Sequence, residues 1–208
     1  HALAARLGGD DTAYEEGQVS LNPLPHIRRE PFGTVLVPLL SYFASGWMLG
    51  WASAPYDPHW QERYPHRAAW MALAGPAANF SLVILSGILI HLGIFAGIFE
   101  APRAASFAHI AAGTSTGLPE TAAVFLSILF SLNLLLAIFN LLPIPPLDGN
   151  SAVGIFLSEE NALRFAELSR SPSFSLIGLL IAWQIFDHVF SPVFVFALNM
   201  LYFGAGYA

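Results

Sequence analysis

The sequence predicts an all-α polytopic membrane protein, with about three to four transmembrane helices plus a short β-strand or re-entrant segment near the N-terminus. Three observations predict it. Of the 208 residues, 55% are hydrophobic and only 11% are charged, where a soluble domain carries about a quarter charged residues. The mean hydropathy is +0.59. Apolar runs recur at residues 68–99, 122–142 and 174–203, each as long as or longer than the ~20 residues that a hydrocarbon core of ~30 Å requires.

Taken in order, "HALAARLG" reads as the last turns of a helix, with Gly8 and Gly9 as its stop. The alternating "GQVSLNPLPHI" predicts a short strand near residues 17–22, followed by a turn at Pro23 and Pro25. Residues 34–52 are apolar and about long enough to cross a bilayer, but Pro38, Gly46 and Gly50 interrupt them. Residues 53–67 form a polar loop. The run at 68–99 contains no charge and is the strongest membrane signal. A Gly-, Ser-, Thr- and Pro-containing loop at 100–121 joins it to the uncharged span at 122–142. "NLLPIPPLDGN" (140–150) then breaks the helix, and "EENALRFAELSR" reads as a short surface helix. Residues 174–203, interrupted by Asp187, His188 and Pro192, form one tilted span or two half-helices. There is no internal repeat, so residues 1–208 read as a single domain.

Composition also excludes function classes. With no cysteine there is no disulfide and no thiolate ligand or nucleophile. The net charge of −6 is dispersed, with no basic block to suggest nucleic acid. All eight basic residues are arginines, five of which precede the span at 68–99. Arg103 alone lies in the 100–121 loop, whereas Arg164 and Arg170 follow the proline-rich break. The positive-inside rule therefore puts the N-terminal region and residues 143–173 in the cytoplasm.

Asp148 carries the sharpest chemical question. "LDG" is common turn chemistry, yet this carboxylate follows directly on a span and on three closely spaced prolines, which stiffen the backbone and remove N–H donors. Irregular backbone at membrane depth is tolerated only inside protein or beside water, so Asp148 is expected to face a wet cavity.

Here a resemblance becomes specific. "NLLPIPPLDG" resembles the N-x-x-P-x-P-x-L-D-G signature of the site-2 protease family of intramembrane zinc metalloproteases (peptidase family M50). "ALAGPAAN" (72–79) is similar to that family's A-G-P-x-x-N stretch, and "LNPLPHI" with "PFGTVLVPLL" to its N-P-x-x-H plus G-T segment. "HALAARLGGDDTA" looks like the sequence that begins at the second histidine of the family's H-E-x-x-H helix. Four stretches match in the family's order over most of residues 1–157.

The resemblance implies a bound Zn2+ with His1 and Asp148 as metal ligands. In such a motif two histidines at i and i+4 share one helix face, and the glutamate beside the first is the general base. The first histidine and the glutamate are expected upstream of His1, so the chain is expected to be truncated within the motif, with no catalytic residue of its own. Asn79 and Asn140 lie in family-like motifs and are expected to line the site, where a carboxamide could hold substrate backbone or a developing oxyanion; helix–helix hydrogen bonding is the alternative. Gly75 and Pro76 read as a close helix approach, and His26 as a structural or surface residue. Asp57, His59, Glu62 and His66 match no zinc spacing, and with Trp60 and Tyr64 they read as an interfacial anchor. Asp187 and His188 read as a polar kink or a lateral gate.

A shared metal requires His1 and Asp148 at the same membrane face. The two spans between them satisfy this only if 34–52 does not cross, so that segment is expected to be re-entrant. The implied function is regulated intramembrane proteolysis: cleavage of transmembrane segments of other proteins, in a prokaryotic plasma membrane, with the active site toward the cytoplasm. The strand near residues 17–22 is a candidate edge for an unwound substrate. The partners implied are transmembrane substrates and the bilayer. A non-catalytic homologue that binds membrane clients, or a transporter-like bundle with a half-helix break, is the alternative class.

Overall fold

The computed structural model describes residues 1–45, 50, 55, 57–169, 171–203 and 206–207. The chain divides into two compact units, His1–Met71 and Ala72–Ala208.

The first unit begins with α1 (Ala2–Leu7), which stops where the sequence signals it, at the Gly8 C-cap, with Gly9 at φ 95° beyond it. A one-turn α2 (Thr12–Glu15) follows. The strand expected near residues 17–22 does not form: these residues are turn and bend. The reason is local. Asn22 is a helix N-cap whose side chain accepts from the Leu24 amide, and Pro23 starts α3 (Pro23–Arg29) with a φ already suited to a helix. Arg29 pairs with Glu16, tying α3 to the end of α2.

A five-residue π-helix (Phe32–Leu36) then leads into α4 (Val37–Ser45). Pro38 explains the wide turn, because its ring crowds the carbonyl four residues back and it has no N–H to give. The described helical run, Phe32–Leu36 and Val37–Ser45, is about 21 Å long at 1.5 Å per residue. Gly50 lies back beside its start. A Cβ there would sit 2.7 Å from both the Gly33 carbonyl oxygen and Pro38 Cγ. The rest of the segment expected to be re-entrant, residues 46–49 and 51–52, lies outside the described residues.

The polar stretch before the first span is not simply a loop. It holds α5 (Pro58–Arg63), capped by the Asp57 side chain, which accepts from the His59 amide. Among the described residues, three helices are long and apolar enough to cross a membrane: α6 (Pro65–Phe95), α7 (Leu118–Asn140) and the last helix, Pro172–Leu201. The unit boundary falls within α6. Gly97, at φ 71°, ends the helical path a few residues before the apolar run does.

In the second unit, the 100–121 loop is ordered around a two-stranded antiparallel sheet, β1 (Phe99–Glu100) with β2 (Ala112–Gly113). Ser127 of α7 holds it. Its hydroxyl accepts from the Ile110 and Ala111 amides at 2.9 and 3.0 Å and donates to Ala123 O. The larger core includes Ile90, Phe99, Ile110, Phe130, Leu134 and Leu198.

After α7 come α8 (Asp148–Ala152), a 3-10 turn (Val153–Phe156) and α9 (Glu159–Ser169), the surface helix foreseen in "EENALRFAELSR". The last hydrophobic stretch is one continuous helix, α10 (Pro172–Leu201), with Pro192 inside it. Asp187 and His188 lie on its exposed side. At its far end Tyr202 donates to Ile110 O at 2.8 Å, and Asn199 bonds both the N–H and the carbonyl of Tyr207. The whole is therefore an all-α membrane fold with one minimal sheet among the described residues.

Candidate metal centre

His1 is the N-cap residue of α1. Its Nδ1 lies 3.1 Å from the Met71 carbonyl oxygen. A carbonyl can only accept, so this contact calls for the proton on Nδ1. Metal-binding histidines are oriented in this way, by a backbone carbonyl or carboxylate on the second ring nitrogen.

The rest of the unit holds α1 in place. Ala5 is completely buried. The Gly8 carbonyl, which would be an orphan acceptor at the helix end, accepts from Trp60 Nε1 at 3.3 Å and from the Arg67 guanidinium at 3.0 Å. Asp10, only 3% exposed, accepts from the Thr12 amide, the Thr12 hydroxyl and the Asp57 amide. Burial pushes the Asp10 carboxyl up, but the hydrogen bonds from Thr12 and Asp57 outweigh it and hold the group below its ordinary value of 3.8. Asp10 thus clips the chain after α1 to the start of α5.

This packing corrects one expectation. Trp60 is 6% exposed and faces Gly8, so it fastens α1 and is not an interfacial anchor. Asp57 is a helix cap and its neighbour His59 pairs with Glu62 at the surface, at 3.6 Å. His26 has Nε2 3.3 Å from Ser20 O, a loop-to-helix contact that fits its structural reading.

Asp148 belongs to the second unit, at the first position of α8. Here α7 stops at Asn140, and tight turns lead away from it. Ile144 N donates to Leu142 O, Leu147 N to Ile144 O, and Asn150 N to Leu147 O, at 2.8 to 3.1 Å. Pro145–Pro146 is a cis peptide. Gly149 shows why a glycine must follow the aspartate. A Cβ there would overlap the Leu141 carbonyl and lie 2.6 Å from Leu142 O. Leu147 and Gly149 are buried on either side of Asp148, which is half-buried itself. The carboxylate is thus carried on backbone seated directly on the carbonyl end of α7.

Asn140 is the last residue of α7, and Asn79 lies in α6 one turn after Pro76. Both are half-buried. The amide missing at Pro76 is the one that would have bonded the Ala72 carbonyl, so the helix ladder is interrupted beside Asn79.

The donor types suit zinc, which takes histidine nitrogen and carboxylate oxygen. Among the described residues, however, no group of three or more His, Cys, Asp or Glu side chains is placed to hold a metal ion. The residues that sequence reasoning passed over are Met71, Arg67 and Asp10, which support His1, and Gly178, which packs on the turn before Asp148. Only Asp10 carried a signal, the Asp-x-Thr spacing of a side chain that bonds backbone two residues on.

The family model described as peptidase family M50 matches residues 32–182. That range contains Asn79, Asn140 and Asp148. A Bacillus subtilis (strain 168) protein named "Putative zinc metalloprotease YwhC" is 35% identical over 150 residues, which cover 72% of this chain and 58% of that protein. The match therefore spans little more than half the length of that relative. No solved structure matches significantly.

Proposed function

The chain belongs to peptidase family M50, and from that premise we propose that it acts as an intramembrane zinc metalloprotease on transmembrane segments of other membrane proteins. The observation that carries this reading is the His1 to Met71 hydrogen bond, in which a backbone carbonyl orients the imidazole as it does in metal-binding histidines. His1 and the Asp148 carboxylate would be the metal ligands that this chain contributes. When bound, zinc would lower the pKa of a water and polarise the scissile carbonyl.

The chain's own residues have separate tasks. Met71 O fixes the imidazole tautomer, and the Gly149 seat fixes the height of Asp148 against α7. The Asn79 and Asn140 carboxamides would donate to a substrate carbonyl as it gains negative charge. A helical substrate hides its carbonyls in i→i−4 bonds, so it must unwind locally before it can react. The arginine distribution supports a cytoplasmic site, and the return of Gly50 to Gly33 and Pro38 supports a re-entrant segment before α5.

The test is a cleavage assay on the full-length protein in proteoliposomes with a transmembrane substrate. Cleavage is expected to stop with a chelator, to return with zinc and to be absent in Asp148→Asn. Cleavage that a chelator does not stop, or wild-type cleavage by Asp148→Asn, would sink the catalytic reading.

A further inference from the structure

The first half of α10 touches the rest of its unit through a narrow seam. Phe174, Leu176, Ile177, Leu180, Ile181 and Trp183 are exposed, between 48% and 72%. By contrast Gly178 and Ala182 are buried, and Phe186 and Val189 are partly buried. These four recur at helical spacing on one face. What they meet is the turn that carries Asp148: Ala182, Phe186 and Val189 pack with Leu142, Ile144 and Leu147. Phe186 also sets its ring edge-on to Phe139 of α7, with centroids 5.2 Å apart.

Gly178 makes the closest approach. A Cβ at this position would overlap the Pro145 carbonyl oxygen and lie 3.0 Å from Ile144 Cγ2. The obstruction is backbone that proline already restrains, so it has little room to give. The Asp148 turn is therefore held from two sides, by the carbonyl end of α7 under Gly149 and by the face of α10 at Gly178.

We infer that Gly178 is a positioning residue for the metal site: α10 docks its glycine face on the Pro145 carbonyl and so sets where Asp148 stands. This rests on the proposed role of Asp148 as a ligand. A residue that acts through a ligand in this way changes metal affinity by about 10- to 100-fold.

The experiment compares the wild-type full-length protein with Gly178→Ala, Gly178→Leu, Asp148→Asn and Gly87→Leu. Gly87 is a packing control, because a Cβ there would meet only the side chains of Leu201 and Phe130, at 3.3 and 3.8 Å. Zinc affinity is read by competition with a chromophoric chelator, and thermal unfolding in parallel. Hydrogen exchange of residues 141–152 is read on the metal-free protein. Gly178→Leu is expected to bind zinc at least tenfold more weakly and to exchange faster over 141–152 while 118–135 is unchanged, with Gly178→Ala between it and wild type. Gly87→Leu is expected to lower the unfolding temperature and leave zinc affinity alone. Wild-type zinc affinity and exchange in both Gly178 variants would overturn the inference, as would an equal loss of affinity in Gly87→Leu. If Asp148→Asn binds zinc like wild type, the ligand role fails instead, and unchanged exchange over 141–152 in Gly178→Leu then decides against the brace on its own.

Discussion

The imidazole Nδ1 of His1 is 3.1 Å from the carbonyl oxygen of Met71, seventy positions away in the chain. The bond joins the start of α1 to an early turn of α6, and an accepting carbonyl calls for the proton on Nδ1. Long-range 15N correlation spectra of metal-free protein are expected to show the neutral His1 ring as the Nδ1–H tautomer. An Nε2–H pattern would remove the structural basis for His1 as a ligand.

Asp148→Asn keeps the shape of the side chain and removes its charge. Since positioning residues alone cost about 10- to 100-fold in metal affinity, loss of a ligand is expected to cost at least that much. Equilibrium dialysis against buffered zinc, with circular dichroism to verify retained helix, measures it. Undiminished binding would mean that Asp148 is an ordinary helix-first residue.

Acid sensitivity of the first unit follows from Asp10. Its folded pKa lies below the ordinary value of 3.8, so the ionised form is the one that folding favours. The stability it contributes is fully present above 3.8 and is lost as pH falls through the lower folded value. Asp10→Asn should flatten that part of the pH profile and loosen α1 even at neutral pH, because one of its acceptors for Thr12 and Asp57 is gone. Hydrogen exchange of residues 2–16 against pH distinguishes the two proteins.

Gly149→Ala tests the seat beneath Asp148. The added methyl meets backbone oxygen of Leu141 and Leu142, which cannot swing aside as a side chain would. Overpacking of this kind costs about 1–3 kcal/mol, seen as a lower unfolding temperature in detergent. An alanine variant as stable as wild type would mean that the turn has slack.

The native absence of cysteine makes single-cysteine labelling direct. Cysteines introduced at Arg28 and at His59, on either side of the 34–52 segment, are expected to react from the same membrane face. Labels on opposite faces would place His1 and Asp148 apart and rule out a shared metal.

Much of the fold was readable because hydrocarbon imposes a coarse rule that a sequence satisfies visibly. The uncharged runs within 68–99 and 122–142 became α6 and α7, and the Gly8-Gly9 stop and the 159–169 surface helix fell where the sequence put them. Alternation failed at Gln18 to Leu21, since the Asn22-Pro23 cap starts a helix there and nothing offers the chain a strand partner. Trp60 was misread because an indole beside a span suits either an interface or a core, and only the Gly8 carbonyl decides between them. Asp148 stood out through its motif. Gly178 did not, because a glycine in an apolar helix has many uses and its particular one depends on a carbonyl thirty-three positions earlier.

The narrow seam of α10 divides the helix by tolerance to change. Its exposed side is filtered by the solvent alone, so Leu176, Leu180 and Trp183 are free to drift among apolar residues of any shape. On the other side a single methyl group at residue 178 is already too much. One helix thus carries two alphabets, a loose one written for lipid and a strict one written for the turn it guards.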